Sequence, residues 1–351
     1  MTDINDRGRE MNTAKEMLLL SQEDLLSANC LDFKAAVEVC RQALVAYSEG
    51  DVIAPEKVSV IFDERTQDRI NCLPAGFRSS KTYGMKWISV FPENPRERGI
   101  QNVGALSLLS SMENGNPLAL MDSTMLSGLR TAAMSALAAR YLAQARPRSL
   151  AFVGAGVQAR MHFLAMTEEF PSISQCAVAS RTSATEREFA RQMSARRPGV
   201  DIVPANGDYE AAVRDADIVV TAISGQERIL QPGWISQGAF YAHVGGLEDD
   251  YGVPRKAAKI VCDSWAGVKH RSQTISRMYH EGLLRDSDIH ADLHEIVIGS
   301  KPGRERDDEF IYYNGVGLPF IDVAIARWAM ERARVKGLGQ KFTLQERCLF
   351  E

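Results

Sequence analysis

Apolar positions along the chain change their period near residue 120, and the change divides the molecule. Over residues 32–49, Phe33, Ala36, Val37, Val39, Cys40, Leu44, Val45 and Tyr47 fall mostly on one side of a helix, which Gly50-Asp51 ends. Short runs with β-like patterning follow at 58–61, 70–73, 83–90 and 105–110. Pro74-Ala75-Gly76, Pro92-Glu93-Asn94-Pro95 and Glu113-Asn114-Gly115-Asn116-Pro117 read as turns, the last of them a hairpin. Residues 20–120 therefore predict a helix with a mostly antiparallel sheet.

The texture then alternates. Asp122 or Ser123 caps a long alanine-rich helix reaching about residue 145, which Pro147 stops. Strands at 150–153, 176–180, 200–203, 217–222, 239–244 and 259–263 follow, with helices at 158–170, 184–196 and 209–214 between them. Such alternation predicts a parallel sheet with helices on both faces. A last helix over 318–335 returns to the first unit and makes that unit discontinuous.

The first strand of the series runs straight into Gly154-Ala155-Gly156-Val157-Gln158-Ala159. A buried strand, a tight glycine turn and a helix start together make a pyrophosphate seat, because exposed backbone N–H groups point out of the helix end. Gly154 allows the turn, Gly156 removes a Cβ that would collide with phosphate, and Ala159 is small enough for close helix–strand packing. The predicted fold class is α/β. A Rossmann-type doubly wound parallel sheet spans 129–317, and a discontinuous α+β unit is made from 1–128 and 318–351.

The second strand of that sheet ends at Ser180-Arg181-Thr182, where a dinucleotide's adenosine ribose belongs. No acid stands there to bind ribose hydroxyls. Ser180 and Thr182 can donate to a 2′-phosphate, and Arg181 can pair with it or stack on adenine. NADP(H) is therefore favoured, with NAD(H) as the alternative and a solvated Arg181 as the plainer reading. Thr221-Ala222-Ile223-Ser224, Val244-Gly245 and Val316-Gly317 fall at the same carboxyl edge, either against the dinucleotide or as ordinary strand ends and turns.

Composition narrows the classes. Of 351 residues, 45% are hydrophobic and 25% charged, and the net charge is −4, which offers nucleic acid no basic field. No apolar run approaches the roughly 20 residues of a membrane helix. The first 15 residues are polar and mixed in charge, unlike a signal peptide, and are expected to fray. Cys30, Cys40, Cys72, Cys176, Cys262 and Cys348 are scattered without metal-ligand spacing, which suits reduced thiols in a cytoplasmic protein. His290 and His294 are four apart but lack a nearby third ligand, so no metal is expected.

Three features carry candidate chemistry. Lys86 lies in a β-like run among apolar neighbours, where burial would lower its pKa and make it a proton donor or a carboxylate partner; a solvated edge lysine is the alternative. Arg130 is the one charge in Leu129-Arg130-Thr131-Ala132-Ala133, either a surface residue or a two-pronged clamp for a substrate carboxylate. Glu248-Asp249-Asp250 follows Gly245-Gly246-Leu247 and could supply a base, although at least two of these acids read as an exposed turn.

Taken together, these segments resemble the ornithine cyclodeaminase/μ-crystallin family over residues 18–340. The resemblance rests on Lys86 in "MKWISVFPENP", on "LRTAA" with the "VGAGVQA" fingerprint downstream, and on "VIGSKPGR" and "VGLPFIDVA" near the end. It implies a homodimer whose first domain carries substrate and dimer interface and whose second binds the dinucleotide. It implies that Lys86 and Arg130 bind the substrate carboxylate, with Lys57 and Asn102 completing the substrate set. Thr131 and the glycine loop, Gly154 to Gln158, would contact pyrophosphate. True ornithine cyclodeaminases carry an aspartate after the paired glycines, where this chain has Leu247. Asn102 also replaces the family threonine, and an arginine of the siderophore branch. The segment "VCDSWAGVKHRSQTISRMYHEGLL" is more similar to the aminocarboxyethyl-glutamate dehydrogenase, alanine dehydrogenase and ketimine reductase branches. The implied activity is hydride transfer to or from the α-carbon of a small amino or imino acid. A cyclodeaminase and a crystallin-like binding protein are the alternatives.

Overall fold

The computed structural model describes residues 15–63, 65–223, 225 and 227–347. The expected fraying of the N-terminal residues, Ser224 and Cys348 lie outside this range. In chain order the first elements are β1 (Lys15–Leu20), α1 (Gln22–Ser27), α2 (Phe33–Ser48), β2 (Val52–Ile53), β3 (Val58–Asp63) and β4 (Asp68–Phe77). Then come β5 (Thr82–Val90), α3 (Asn94–Glu97), β6 (Val103–Ser111), β7 (Pro117–Asp122) and α4 (Thr124–Leu142). The alternating series is β8 (Ser149–Val153), α5 (Val157–Glu169), β9 (Gln175–Ala179), α6 (Ser183–Arg196), β10 (Asp201–Pro204), α7 (Tyr209–Val213) and β11 (Ile218–Thr221). It continues with β12 (Phe240–His243), α8 (Gly252–Lys256), β13 (Lys259–Cys262), α9 (Trp265–Val268), α10 (Thr274–His280), β14 (Ala291–Asp292) and α11 (Leu293–Val297). The chain closes with β15 (Ile311–Asn314), α12 (Pro319–Val335) and β16 (Gln340–Gln345).

Two eight-stranded sheets result. The second runs β10-β9-β8-β11-β12-β15-β13-β14, and its pairings are parallel. Its first five strands have the order of a dinucleotide fold, reversing between β8 and β11. β11, β12, β13 and β15 are buried on both faces, which is why they read as unbroken apolar runs. β15 was not anticipated: its aromatic pair Tyr312-Tyr313 lies just ahead of the segment expected to open the last helix.

The first sheet runs β16-β1-β7-β6-β5-β4-β2, with β3 also on β4. Only the β1–β7 pair is parallel. The hairpin over 113–117 joins β6 to β7 as the turn residues predict. Pro74-Ala75-Gly76, expected as a turn, instead lies inside β4. β3 pairs with β4 as far as Cys72 and β2 begins at Gly76, so Pro74 sits where that edge has no ladder partner and its missing N–H costs nothing. Helix α4 ends at Leu142, and residues 143–146 connect it to Pro147.

α12 and α4 cover one face of the first sheet, so the last helix does return to the first unit. α4 is buried almost all round and lies beside α5. A Cβ on Gly128 would meet Met161 at 3.3 Å, Ser135 Oγ is 3.0 Å from His162 Nε2, and Arg140 pairs with Glu169 at 2.6 Å. These contacts advance together along both helices, so the two run in parallel and start at the same end of the molecule.

Candidate active site

Alternation along β5 turns Lys86 to the helix-covered face. It sits in a row with Leu73, Ser107 and Met121 on the neighbouring strands, all buried. Its ammonium donates to Asp322 Oδ1 at 2.6 Å and to Ser127 Oγ at 3.2 Å. Burial, and then the nearby Arg130 charge, push its pKa down to about 8, while Asp322 pulls it back up. Arg130 Nε stands 2.9 Å from the same Asp322 oxygen, an ion pair whose angle does not make a hydrogen bond. Asp322 Oδ2 is buried and has no partner among the described residues. One carboxylate thus lies between two cations in a small, nearly closed pocket lined by Ser107, Ser123, Leu126, Ser127 and Ile325.

The Arg130 guanidinium also reaches the second sheet. Gly317 follows β15 with φ +84°, and a Cβ there would lie 2.5 Å from Arg130 Nη1. The amides of Val316 and Gly317 donate to Asp263 Oδ2 at 2.9 and 2.7 Å, which pins this crossing. Burial pushes the Asp263 carboxyl up to about 6. Arg130 is therefore no surface residue: it spans from the Lys86–Asp322 pair to the carboxyl edge of the parallel sheet.

At that edge the glycine turn has the predicted form. Gly154 has φ +108°, and a Cβ on it would lie 2.6 Å from Ala222 O, so the turn presses on the end of β11. Gly156 caps α5, and a Cβ there would enter open space. Ala155 is buried, Val157 is 65% exposed, and the Gln158 side-chain oxygen is buried without a partner. An open cradle over backbone N–H groups at a helix start fits a dinucleotide pyrophosphate. Thr131 is half-buried, and its hydroxyl donates to Ser127 O at 2.8 Å within α4.

Beyond β9, Ser180 is buried and its hydroxyl donates to Thr182 O at 3.1 Å, while Thr182 caps α6. Arg181 and Thr182 are exposed, while Ser180 is not. Glu186, not anticipated, is fully buried and accepts from the amides of Ser180, Asn206 and Gly207 at 2.7, 2.6 and 2.9 Å. It fastens the two loops that follow β9 and β10.

The acidic turn corrects an expectation. Glu248 and Asp249 are fully buried, not exposed. Glu248 accepts from Ile223 N, Thr221 Oγ1 and Gly245 N at 2.6, 2.5 and 3.0 Å, so its oxygens are engaged in structure. Leu247 is buried and apolar. Val244 N donates to Thr221 O at 3.2 Å, and Ala222 N to Val153 O at 2.9 Å, so these edge residues form one connected rim.

Lys86, Arg130 and Gly317 are brought together, and the rim residues lie with the glycine turn. Lys57 is half-buried, one residue before the Val58–Cys72 pair, which places it near the Lys86 row. Asn102 is not brought there: its carbonyl accepts from Phe91 N at 2.8 Å, five positions along the ladder from Lys86. Sequence reasoning missed Asp322, although a carboxylate flanked by Ile321, Val323 and Ile325 on a buried helix face is a readable signal. Among the described residues no group of three or more His, Cys, Asp or Glu is placed to hold a metal ion.

The model of the ornithine cyclodeaminase/mu-crystallin family matches residues 15–337. N-((2S)-2-amino-2-carboxyethyl)-L-glutamate dehydrogenase of Staphylococcus aureus is 28% identical over 334 residues, 94% of this chain and 99% of that protein. The Δ1-pyrroline-2-carboxylate reductase of Thermococcus litoralis, solved with NADH and L-proline, is 32% identical. It aligns with a TM-score of 0.87 over 92% of this chain and 99% of its own. An archaeal alanine dehydrogenase dimer with bound NAD is 30% identical, with a TM-score of 0.86 over 94% of this chain and 100% of its own. Glycine turn, strand order and family match agree, and the chain belongs to the ornithine cyclodeaminase/mu-crystallin family.

Proposed function

We propose that this protein moves a hydride between a nicotinamide dinucleotide and the α-carbon of a small amino or imino acid. It is an NAD(P)-dependent oxidoreductase acting on CH–NH2 or C=N groups. One observation carries the reading: Arg130 joins the buried Lys86–Asp322 pair to Gly317 at the carboxyl edge of the parallel sheet. A carboxylate grip and a dinucleotide seat then face one cleft, the arrangement that direct carbon-to-carbon transfer needs.

Arg130 holds the α-carboxylate in two-pronged fashion. Lys86 adds a second positive contact and, with a pKa of about 8, exchanges a proton with the imine nitrogen near neutral pH. Asp322 holds both cations in place and keeps Lys86 from losing its proton under burial. The backbone at Gly154–Gln158 holds the pyrophosphate, with Thr131 alongside. The bound dinucleotide supplies or accepts the hydride. With no acid at 180–182 and Arg181 free in solvent, NADP(H) is the preferred partner and NAD(H) the alternative.

The substrate and dimerisation unit is 1–128 with 318–351, and the dinucleotide unit is 129–317. The chain forms a homodimer through the uncovered face of the first sheet, where Val58, Trp87 and Leu106 stand exposed in one register row. No helix among the described residues is long and apolar enough to cross a membrane. The described cysteines are free thiols, and the cytoplasm is the proposed location.

Net reduction is favoured over cyclodeamination because Leu247 cannot do acid–base work, and Glu248 is tied up in the rim. The test follows nicotinamide absorbance with NADPH or NADH against cyclic imines and mixtures of 2-oxo acids with amines. Turnover is expected. Ammonia and proline from ornithine without net cofactor change would instead make it a cyclodeaminase. Dinucleotide binding without turnover on any imine would make it a storage protein.

A further inference from the structure

Beneath the rim of β11 and β12 lies a polar group that the reaction above does not use. His243 ends β12, and Glu248 and Asp249 fold back from the connection after it; all three are fully buried. His243 Nε2 stands 3.5 Å from Glu248 Oε2 and 3.5 Å from Asp249 Oδ1. Ionisable groups this close and this dry must compensate one another.

Their neighbours fix where the protons are. Gln273 donates Nε2 to Gly245 O at 2.9 Å, so its Oε1 faces Asn314. Asn314 donates Nδ2 to that oxygen at 2.9 Å, so its own Oδ1 faces His243 Nδ1, also at 2.9 Å. Nδ1 therefore carries a hydrogen. A neutral ring would then aim a bare lone pair at two carboxylates. That arrangement is repulsive, so one proton must lie among Nε2 and the two carboxyl groups. Nε2 makes no hydrogen bond among the described residues, and Asp249 Oδ2 has only the Tyr312 hydroxyl turned toward its carboxyl group.

We infer that His243, Glu248 and Asp249 share this one proton, and that it holds the strap 245–249 in the shape the dinucleotide needs. They are positioning residues, and the inference rests on the dinucleotide site proposed above. The Glu248 carboxylate ties Ile223 N, after β11, to Gly245 N, after β12. Gly245 has to be glycine here, because a Cβ would collide with that carboxylate. Asp249 accepts from Thr274 Oγ1 of α10 at 2.5 Å, which pins the far end of the strap. Tyr241 of β12 and Tyr312 of β15 also face the group; burial raises both well above their ordinary range, so they stay neutral. Burial likewise raises the Glu248 and Asp249 carboxyls, which favours keeping the proton.

Dinucleotide dissociation constants measured against pH by fluorescence titration test this. In the wild-type protein, binding weakens on the alkaline side as the shared proton leaves. Asp249→Asn removes one ionisable partner of the proton, so the alkaline limb shifts or disappears whatever the affinity at neutral pH. Glu248→Ala weakens binding by about tenfold or more at every pH, because two rim amides lose their acceptor. An unchanged alkaline limb in Asp249→Asn overturns the shared proton, and wild-type affinity in Glu248→Ala overturns the strap's role. Nitrogen-15 NMR of His243 reads the proton without any dinucleotide. Nδ1 should carry a hydrogen at neutral pH and Nε2 should be protonated or hydrogen-bonded; a bare Nδ1, or an Nε2 with the shift of an unbonded lone pair, overturns the inference. A wild-type protein with the expected NMR signature that binds no dinucleotide sinks the site reading, and with it the function given to the strap.

Discussion

Single side chains decide the chemistry, and Arg130 is the most exposed to test. Arg130→Met takes an ion-pair partner from Asp322 and the two-pronged clamp from the substrate carboxylate, and should raise the substrate KM roughly a hundredfold with a smaller effect on dinucleotide binding. Lys86 should act as an acid in the reductive direction, so kcat/KM falls as pH rises through about 8. Asp322→Asn removes the charge that raises this pKa. The basic limb should therefore move to lower pH, by about one unit or more, in a pH–rate profile. Arg181→Ala should raise the KM for NADPH about tenfold and leave that for NADH unchanged, if a 2′-phosphate is what it meets. Lys86 and Arg130 were legible because each is one charge in an apolar run, which is hard to explain as surface. Asp322 was equally isolated, among Ile321, Val323 and Ile325, but helix periodicity alone does not say that its face meets β5. Glu248 and Asp249 were misread because acids beside glycines look like a solvated turn. Only the fold brings them to His243 and Thr274.

At the scale of elements, the glycine turn and the Glu186 anchor shape the loops proposed to hold the dinucleotide. Gly154→Ala combines a positive φ with a Cβ 2.6 Å from Ala222 O, so the turn must move off β11. The expected cost is about 1–3 kcal/mol in stability, with weaker dinucleotide binding, measured by denaturant unfolding and titration. Glu186→Ala leaves three backbone amides without an acceptor, and should cost a similar ~1–3 kcal/mol and loosen the loops at 180–182 and 205–207. The strands and helices from 149 to 262 were nearly all readable, because buried parallel strands and their helices have distinct lengths and periods. β15, inserted between β12 and β13, was not: sheet order is a long-range property, and Tyr312-Tyr313 carries no local sign of a central position. Pro74-Ala75-Gly76 misled for the opposite reason, since turn residues fit a strand wherever the sheet edge is unpaired.

The whole molecule places a helix-covered face of one sheet against the carboxyl edge of another, with α4 parallel to α5 so that Arg130 and the glycine turn share an end. The opposite face of the first sheet is left apolar, with Trp87 46% and Leu106 47% exposed. Leu106→Arg should convert a dimer to monomers in light scattering while the far-ultraviolet spectrum is unchanged. Trp87 adjoins Lys86 in β5, so loss of the dimer should also lower turnover. The cleft between the two sheets is where the account stands or falls. The measurement that addresses it is deuterium transfer: nicotinamide dinucleotide labelled at C4, incubated with an imino acid that turns over, and the product read by mass spectrometry and proton NMR. The account predicts the label on the amino acid's α-carbon, in one stereochemical sense. Product formed with solvent hydrogen at that carbon would contradict it.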